Sequence, residues 1–221
     1  MRLIAALLRR DVGMLLSGGK QGGSMLPLMF FLAVAALYPF AVGPDAAMLR
    51  RTGGGVVWIA ALLASLLPVD RLIAPDLEDG TLDQLAIREV AEETVLAARI
   101  VAHWLSFAPL LLLATFVAAA LFNLTGELLA YLLLGLLAGT PGLAALGVLT
   151  AALLSGVRSG PALGGLIFLP LAVPLVIFGA GSLVRLEPAA ILLTAAVSLV
   201  LMAVAPFAGG AALRAAREDQ A

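Results

Sequence analysis

The sequence predicts an all-α integral membrane protein. It would have six transmembrane helices, an N-terminal amphipathic helix in the membrane interface, and a short cytoplasmic helix between the second and third spans. Three observations carry this reading. Of 221 residues, 62% are hydrophobic and only 12% charged, and the mean hydropathy is +1.12, far outside the range of soluble domains. Several apolar runs reach the roughly 20 residues needed to cross a hydrocarbon core. Lys and Arg are also distributed very unevenly between the connections.

The spans fall near residues 25–42, 55–73, 100–123, 128–154, 161–184 and 189–212. Backbone in lipid must satisfy its hydrogen bonds within its own segment, so each span is a helix. Residues 1–221 read as a single transmembrane domain with short connections. With a cytoplasmic N-terminus, ten of the thirteen basic residues lie inside and only Arg50, Arg51 and Arg185 outside. That split puts both termini and the acidic loop in the cytoplasm.

Residues 2–16 place Leu3, Leu7, Met14 and Leu15 near one helical face, with Arg2, Arg9 and Arg10 interspersed. This predicts an interfacial amphipathic helix, the alternative being a frayed basic tail. The apolar run is short and is followed by Arg9, Arg10 and Asp11, unlike a secretory signal. Ser17 to Gly23 then reads as a hinge. It is not a phosphate-binding loop, because Met14 replaces the first glycine of that pattern and Gln21 the magnesium-binding Ser or Thr.

Residues 43–54 read as an outside loop. After the second span comes the most acidic part of the chain: Asp70 to Arg99 holds eight of the fourteen acids and three of the thirteen bases. Within it, Asp76-Leu77-Glu78-Asp79-Gly80-Thr81-Leu82-Asp83-Gln84-Leu85 contains a helix start. Thr81 would cap, Gln84 would close a capping box, and Asp83 would suit the positive end of the helix. Leu82, Leu85, Ala86 and Val90 follow at helical spacing, predicting a helix over about 82–90. A second start at Thr94 leads into the third span. Thr140-Pro141-Gly142 predicts a kink in the fourth. In the fifth, Pro170 and Pro174 predict interruptions, and Phe178-Gly179-Ala180-Gly181-Ser182 irregular backbone near the outer surface.

An acidic run is most often a solvated face. Here the sign argues against anionic lipid as the partner, and the apolar stripe on the predicted helix argues for a docking surface.

Chemistry-bearing residues are otherwise sparse. His103 is the only histidine; with Trp104 it reads as an interfacial anchor, the sharper alternative being a heme ligand. No paired carboxylates, metal-spaced sets or nucleophile elbows appear, and no metal site or catalytic residue is assigned. The absence of cysteine excludes disulfides, thiolate metal sites and covalent heme attachment through Cys. An uncharged midplane argues against an ion-coupled transporter and for an energy source outside the chain.

Asp70-Arg71 with the acidic segment from Asp76 to Leu85 resembles the cytoplasmic loop of the CcmB family, the heme exporter protein B permeases. More broadly, it resembles the coupling helix of ABC-2-type (type V exporter-like) permeases. Arg9-Arg10-Asp11, Pro27-Leu28-Met29-Phe30-Phe31, Val42-Gly43-Pro44-Asp45, Gly55-Val56-Val57-Trp58 and Ala102-His103-Trp104-Leu105 add to the likeness. So does Pro174 to Gly181. Ile87 to Glu93 departs from the family pattern, where a more apolar, proline-containing stretch is expected.

The resemblance implies a non-enzymatic permease subunit driven by a separate ATP-binding subunit, CcmA, which alone would hold ATP and Mg. It further implies association with CcmC, CcmD and the heme chaperone CcmE, and two copies of this chain per complex. No cofactor would be bound stably, with heme either cargo or held elsewhere in the complex, and nucleic acid is not an expected partner. Asp76, Glu78, Asp79 and Asp83 would pair with basic groups of the ATPase. Gly80 would permit the turn, and Thr81, Leu82, Gln84 and Leu85 would build the docking helix. The alternative is a scaffold that carries no substrate and relays ATPase motion to CcmC.

Overall fold

A computed structural model describes residues 2–17, 25–43, 45–155 and 162–218. The described residues are helical throughout apart from short turns, with no strand among them. The helices are α1 (Arg2–Ser17), α2 (Met25–Val42), α3 (Ala46–Leu66), α4 (Ala74–Glu78), α5 (Thr81–Ile87), α6 (Glu92–Leu121), α7 (Gly126–Leu154), α8 (Ala162–Arg185) and α9 (Pro188–Glu218). Six of them are long and apolar enough to cross a membrane, so the chain is a multi-pass membrane protein. The predicted hinge after Ser17 lies outside the described residues.

Helix α7 is the axis of the bundle, packed by α3, α6, α8 and α9. Small residues make this possible, since apolar helices in lipid associate through close van der Waals packing rather than hydrophobic burial. A Cβ on Gly139 would lie 2.5 Å from the Trp58 ring, and one on Gly142 would lie 2.9 Å from the Ser198 backbone. Trp58 is fully buried in a slot floored by Gly135 and Gly139 of α7 and Gly179 of α8.

Several boundaries differ from the sequence expectation. The second span begins nine residues earlier than position 55, because Asp45 caps α3: its carboxylate accepts from the Ala47 and Met48 N–H groups at 2.9 and 3.1 Å. Arg50 to Gly54 are therefore helical, not loop. The third span starts at Glu92 rather than Thr94.

Helix α8 runs unbroken through Pro170, Pro174 and Gly179 to Ser182. The expected irregular backbone is absent there because Gly179 serves side-chain packing: it leaves room for the Trp58 indole. Helix α7 likewise continues through Pro141. Proline inside a spanning helix is tolerated where neighbouring helices and local adjustment absorb the lost hydrogen bond.

Helix α1 packs along α6. Its inward stripe is Leu7, Asp11 and Leu15, while Met14 is exposed. An acid therefore takes the central position of the face read as apolar.

Candidate functional site

Helices α4 and α5 form a hairpin at the end of the bundle that carries α1 and the last turns of α9. Pro75 sits in the first turn of α4, where its missing N–H costs nothing. The turn that follows is made by Gly80, at φ 71°, a left-handed conformation that glycine adopts without penalty.

The capping differs from expectation. Thr81 is already helical and does not cap. Instead, the Asp79 carboxylate accepts its backbone N–H at 2.9 Å. Those hydrogen bonds from Thr81 hold the Asp79 carboxyl below its ordinary value. The Gln84 side chain is exposed, and its backbone N–H bonds the Gly80 carbonyl at 3.1 Å, so no capping box closes. The helix ends at Ile87 because the Val90 N–H turns back to the Leu85 carbonyl at 3.1 Å. Leu82 and Leu85 are buried beside Val90, Val95 and Leu213.

Beneath the hairpin lies a buried ion cluster assembled from three elements. Arg99 of α6 is its centre, only 4% exposed. Its Nε donates to Asp11 Oδ2 of α1 at 2.8 Å. Its remaining nitrogens reach Asp76 of α4 and the Leu72 carbonyl. Arg10 closes the ring, donating to Asp76 Oδ2 at 2.7 Å and to Asp11 Oδ1 at 2.9 Å. Burial opposes the Arg10 charge, but hydrogen bonds and the charges of Asp11 and Asp76 outweigh it and raise its pKa above the ordinary value.

Two arginines thus face two carboxylates, which offsets the desolvation that would make any one of them costly. Asp76 is 2% exposed. The expectation that it pairs with a partner's basic groups is corrected: it is a strut inside this chain.

A second set of ion pairs ties α9 to the start of α6 and, through Arg217, to the other flank of the hairpin. Arg214 of α9 donates to Glu93 at 2.7 Å and Glu92 at 3.1 Å. Arg217 bonds Glu92, lies 3.8 Å from Asp83 and reaches the Leu82 carbonyl at 3.5 Å. The hairpin is therefore fastened to α1 and α6 on one side and to α9 on the other. Much of the acidity that stood out in the sequence is neutralised within the chain. Glu78, Asp79, Asp83, Gln84 and Ile87 remain on the outer face, with Ile87 82% exposed.

The sequence reading missed Asp11 and Arg99 as partners. The available signal was their position: each is a charge inside an otherwise apolar helical stripe, where an unpaired ion is costly.

His103 is not an interfacial anchor. It is fully buried, its ring stacks obliquely on Phe107 at 4.9 Å, and neither ring nitrogen has a hydrogen-bond partner. A Cβ on Gly147 would lie 3.0 Å from its Nε2, so packing holds the ring. The neighbouring Trp104 donates from Nε1 to Thr140 Oγ1 at 3.0 Å. Among the described residues, no group of three or more His, Cys, Asp or Glu could hold a metal ion.

At the opposite end of the bundle, a groove of about 800 Å³ opens between α3, α7 and α8, with Arg50 and Arg51 on its rim.

Comparison with known proteins gives a consistent answer. A family model described as CcmB protein matches residues 2–216. The chain is 42% identical to heme exporter protein B of Bradyrhizobium diazoefficiens over 220 residues, 97% of this chain and 98% of that protein. Heme exporter protein B of Paracoccus denitrificans is 43% identical over 214 residues, 95% and 97% of the two chains. That of Escherichia coli K12 is 38% identical over 157 residues, 71% of each.

Proposed function

The chain belongs to the CcmB family of membrane permease components, and on that premise we propose that its α4–α5 hairpin is the seat of a separate ATP-binding subunit. In this reading CcmA grips the hairpin, and its ATP-driven closure moves the permease. The work serves heme export or the release of heme-loaded CcmE, in a complex with CcmC and CcmD that holds two copies of this chain. The membrane is the bacterial inner membrane, with the hairpin and both termini in the cytoplasm, as the ten-to-three division of basic residues supports.

One observation carries the proposal: the hairpin is short, yet ion pairs of Asp76 with Arg10 and Arg99 and of Asp83 with Arg217 join it to α1, α6 and α9. A loop that only met solvent would gain nothing from such anchoring. A loop that must transmit force would need it, because displacement of an unanchored hairpin would be lost in local bending. With Asp76 committed internally, the docking face is Glu78, Asp79, Asp83, Gln84 and Ile87. Ile87 is an exposed apolar anchor in a rim of polar groups, the arrangement in which a few residues dominate binding.

The test is co-purification of the ATP-binding subunit with a Glu78→Arg/Ile87→Glu double variant. These side chains are exposed, so the fold should survive. The subunit should be lost from the membrane complex, with a matching fall in complex-dependent ATPase activity. Undiminished co-purification and activity would overturn the assignment of this face.

A further inference from the structure

We propose that the groove between α3 and α8 is a binding site for an anionic phospholipid of the leaflet opposite the hairpin. Its walls are apolar: Val56 and Ile59 from α3, Leu128 from α7, Leu183 and Val184 from α8. Its depth comes from two glycines. A Cβ on Gly55 or Gly181 would meet nothing within 4 Å, so both face open space. Close by, Gly54 lets α3 meet Leu183 of α8 directly. The helices touch at one point and part beside it.

The two ends of the groove differ in chemistry. Arg50 and Arg51 stand at the rim, both exposed, and neither forms an ion pair with any described residue. Ile59 lies nine positions further along α3, about 13 Å deeper at the rise of an α-helix. Two uncompensated guanidinium groups above an apolar slot fit a ligand with an anionic head and a hydrocarbon tail. Arginine is well suited to phosphate, which it can hold through two parallel hydrogen bonds.

Free phosphate would leave the apolar walls unused. The lining also contains no His, Met, Tyr or Cys, so it offers no side chain that would ligate an iron porphyrin. The slot opens sideways, with Ile59 and Val184 substantially exposed, so a lipid can enter from the bilayer without crossing a polar barrier.

The experiment is native mass spectrometry of the purified permease complex released from nanodiscs of equal phosphatidylglycerol and phosphatidylcholine content. The wild-type chain should retain phosphatidylglycerol in preference to phosphatidylcholine. In an Arg50→Gln/Arg51→Gln variant that retention should fall about thirtyfold, from the attraction expected of two basic residues at a membrane surface. An Arg50→Lys/Arg51→Lys variant should keep most of it. Filling the slot with Gly55→Leu should expel the lipid while both arginines remain.

Retention that is blind to headgroup charge, or equal in the wild-type and Gln variants, would overturn the proposal. So would porphyrin absorbance that disappears with the two arginines, or a cross-link joining Val56 of two copies, since either would give the groove to another occupant.

Discussion

Arg99 and Asp76, 23 positions apart in sequence, face each other as a buried ion pair beneath the α4–α5 hairpin. The same guanidinium holds Asp11 of the N-terminal helix at 2.8 Å. Removing one partner from such a cluster leaves an uncompensated buried charge, which costs about 3–5 kcal/mol. Asp76→Ala should therefore lower the thermal stability of the purified chain sharply and expose the hairpin to proteolysis. Replacing Asp11, Asp76 and Arg99 together by apolar residues of similar volume should recover much of that loss, since no buried charge remains at the centre. A triple variant as unstable as the single one would show that specific geometry matters more than charge balance.

The ion pairs by which Arg214 and Arg217 join α9 to α6 and α5, a C-terminal latch, should behave differently. Arg214 is 44% exposed, and exposed ion pairs are worth roughly 0.2–1 kcal/mol each. Arg214→Ala/Arg217→Ala should move the melting temperature little. If the latch transmits movement of the hairpin into α9, the same variant should clearly reduce ATP-dependent turnover of the complex. Normal turnover would confine the latch to a minor structural role.

The turn at Asp79 predicts a pH dependence. Its carboxyl is held below the ordinary value by the Thr81 hydrogen bonds. The stabilisation is thus present above the unfolded carboxylate pKa of about 4 and is lost as pH falls through the lowered folded value. The stability difference between wild type and Asp79→Ala should be constant near neutrality and shrink under acid. A difference that grows as pH falls would contradict the assigned hydrogen bonds.

The Trp58 slot offers a packing test. Trp58→Ala should cost about 3–5 kcal/mol through the cavity it leaves. Gly179→Leu alone should also destabilise, because its side chain would overlap the indole. The Trp58→Ala/Gly179→Leu double variant should be more stable than Trp58→Ala alone, measured by thermal unfolding in one detergent. Additive losses would mean that the two sites do not share a volume.

Much of this was legible in the sequence. The six spans, the helix at α1 and the helix after Gly80 followed from apolar run length, periodicity and turn chemistry. Boundaries failed where a side chain outside the pattern intervened: Asp45 extended α3 outward by nine residues, and Asp79 took the role expected of Thr81. The break expected near Gly179 failed for a different reason. Glycine signals both turn and close packing, and only the position of Trp58, more than a hundred residues earlier, decides between them.

The acidic loop was visible as an excess of charge. Its division into internal struts and an outer face was not, because the neutralising groups Arg10, Arg99, Arg214 and Arg217 come from helices distant in sequence. His103 illustrates the same limit: its proximity to Trp104 suggested an anchor, yet burial depends on Gly147 and Phe107.

The fastening of the hairpin also has a consequence in time. Residues 74–87 emerge from the ribosome early, but Arg217, which reaches Asp83 and the Leu82 carbonyl, belongs to the last spanning helix. Until that helix has been inserted, the hairpin is held on one flank only. A partially synthesised chain would offer an incomplete grip to any ATPase it met. If the hairpin seats an ATPase as proposed, only a permease whose last helix is in place would present it held on both flanks.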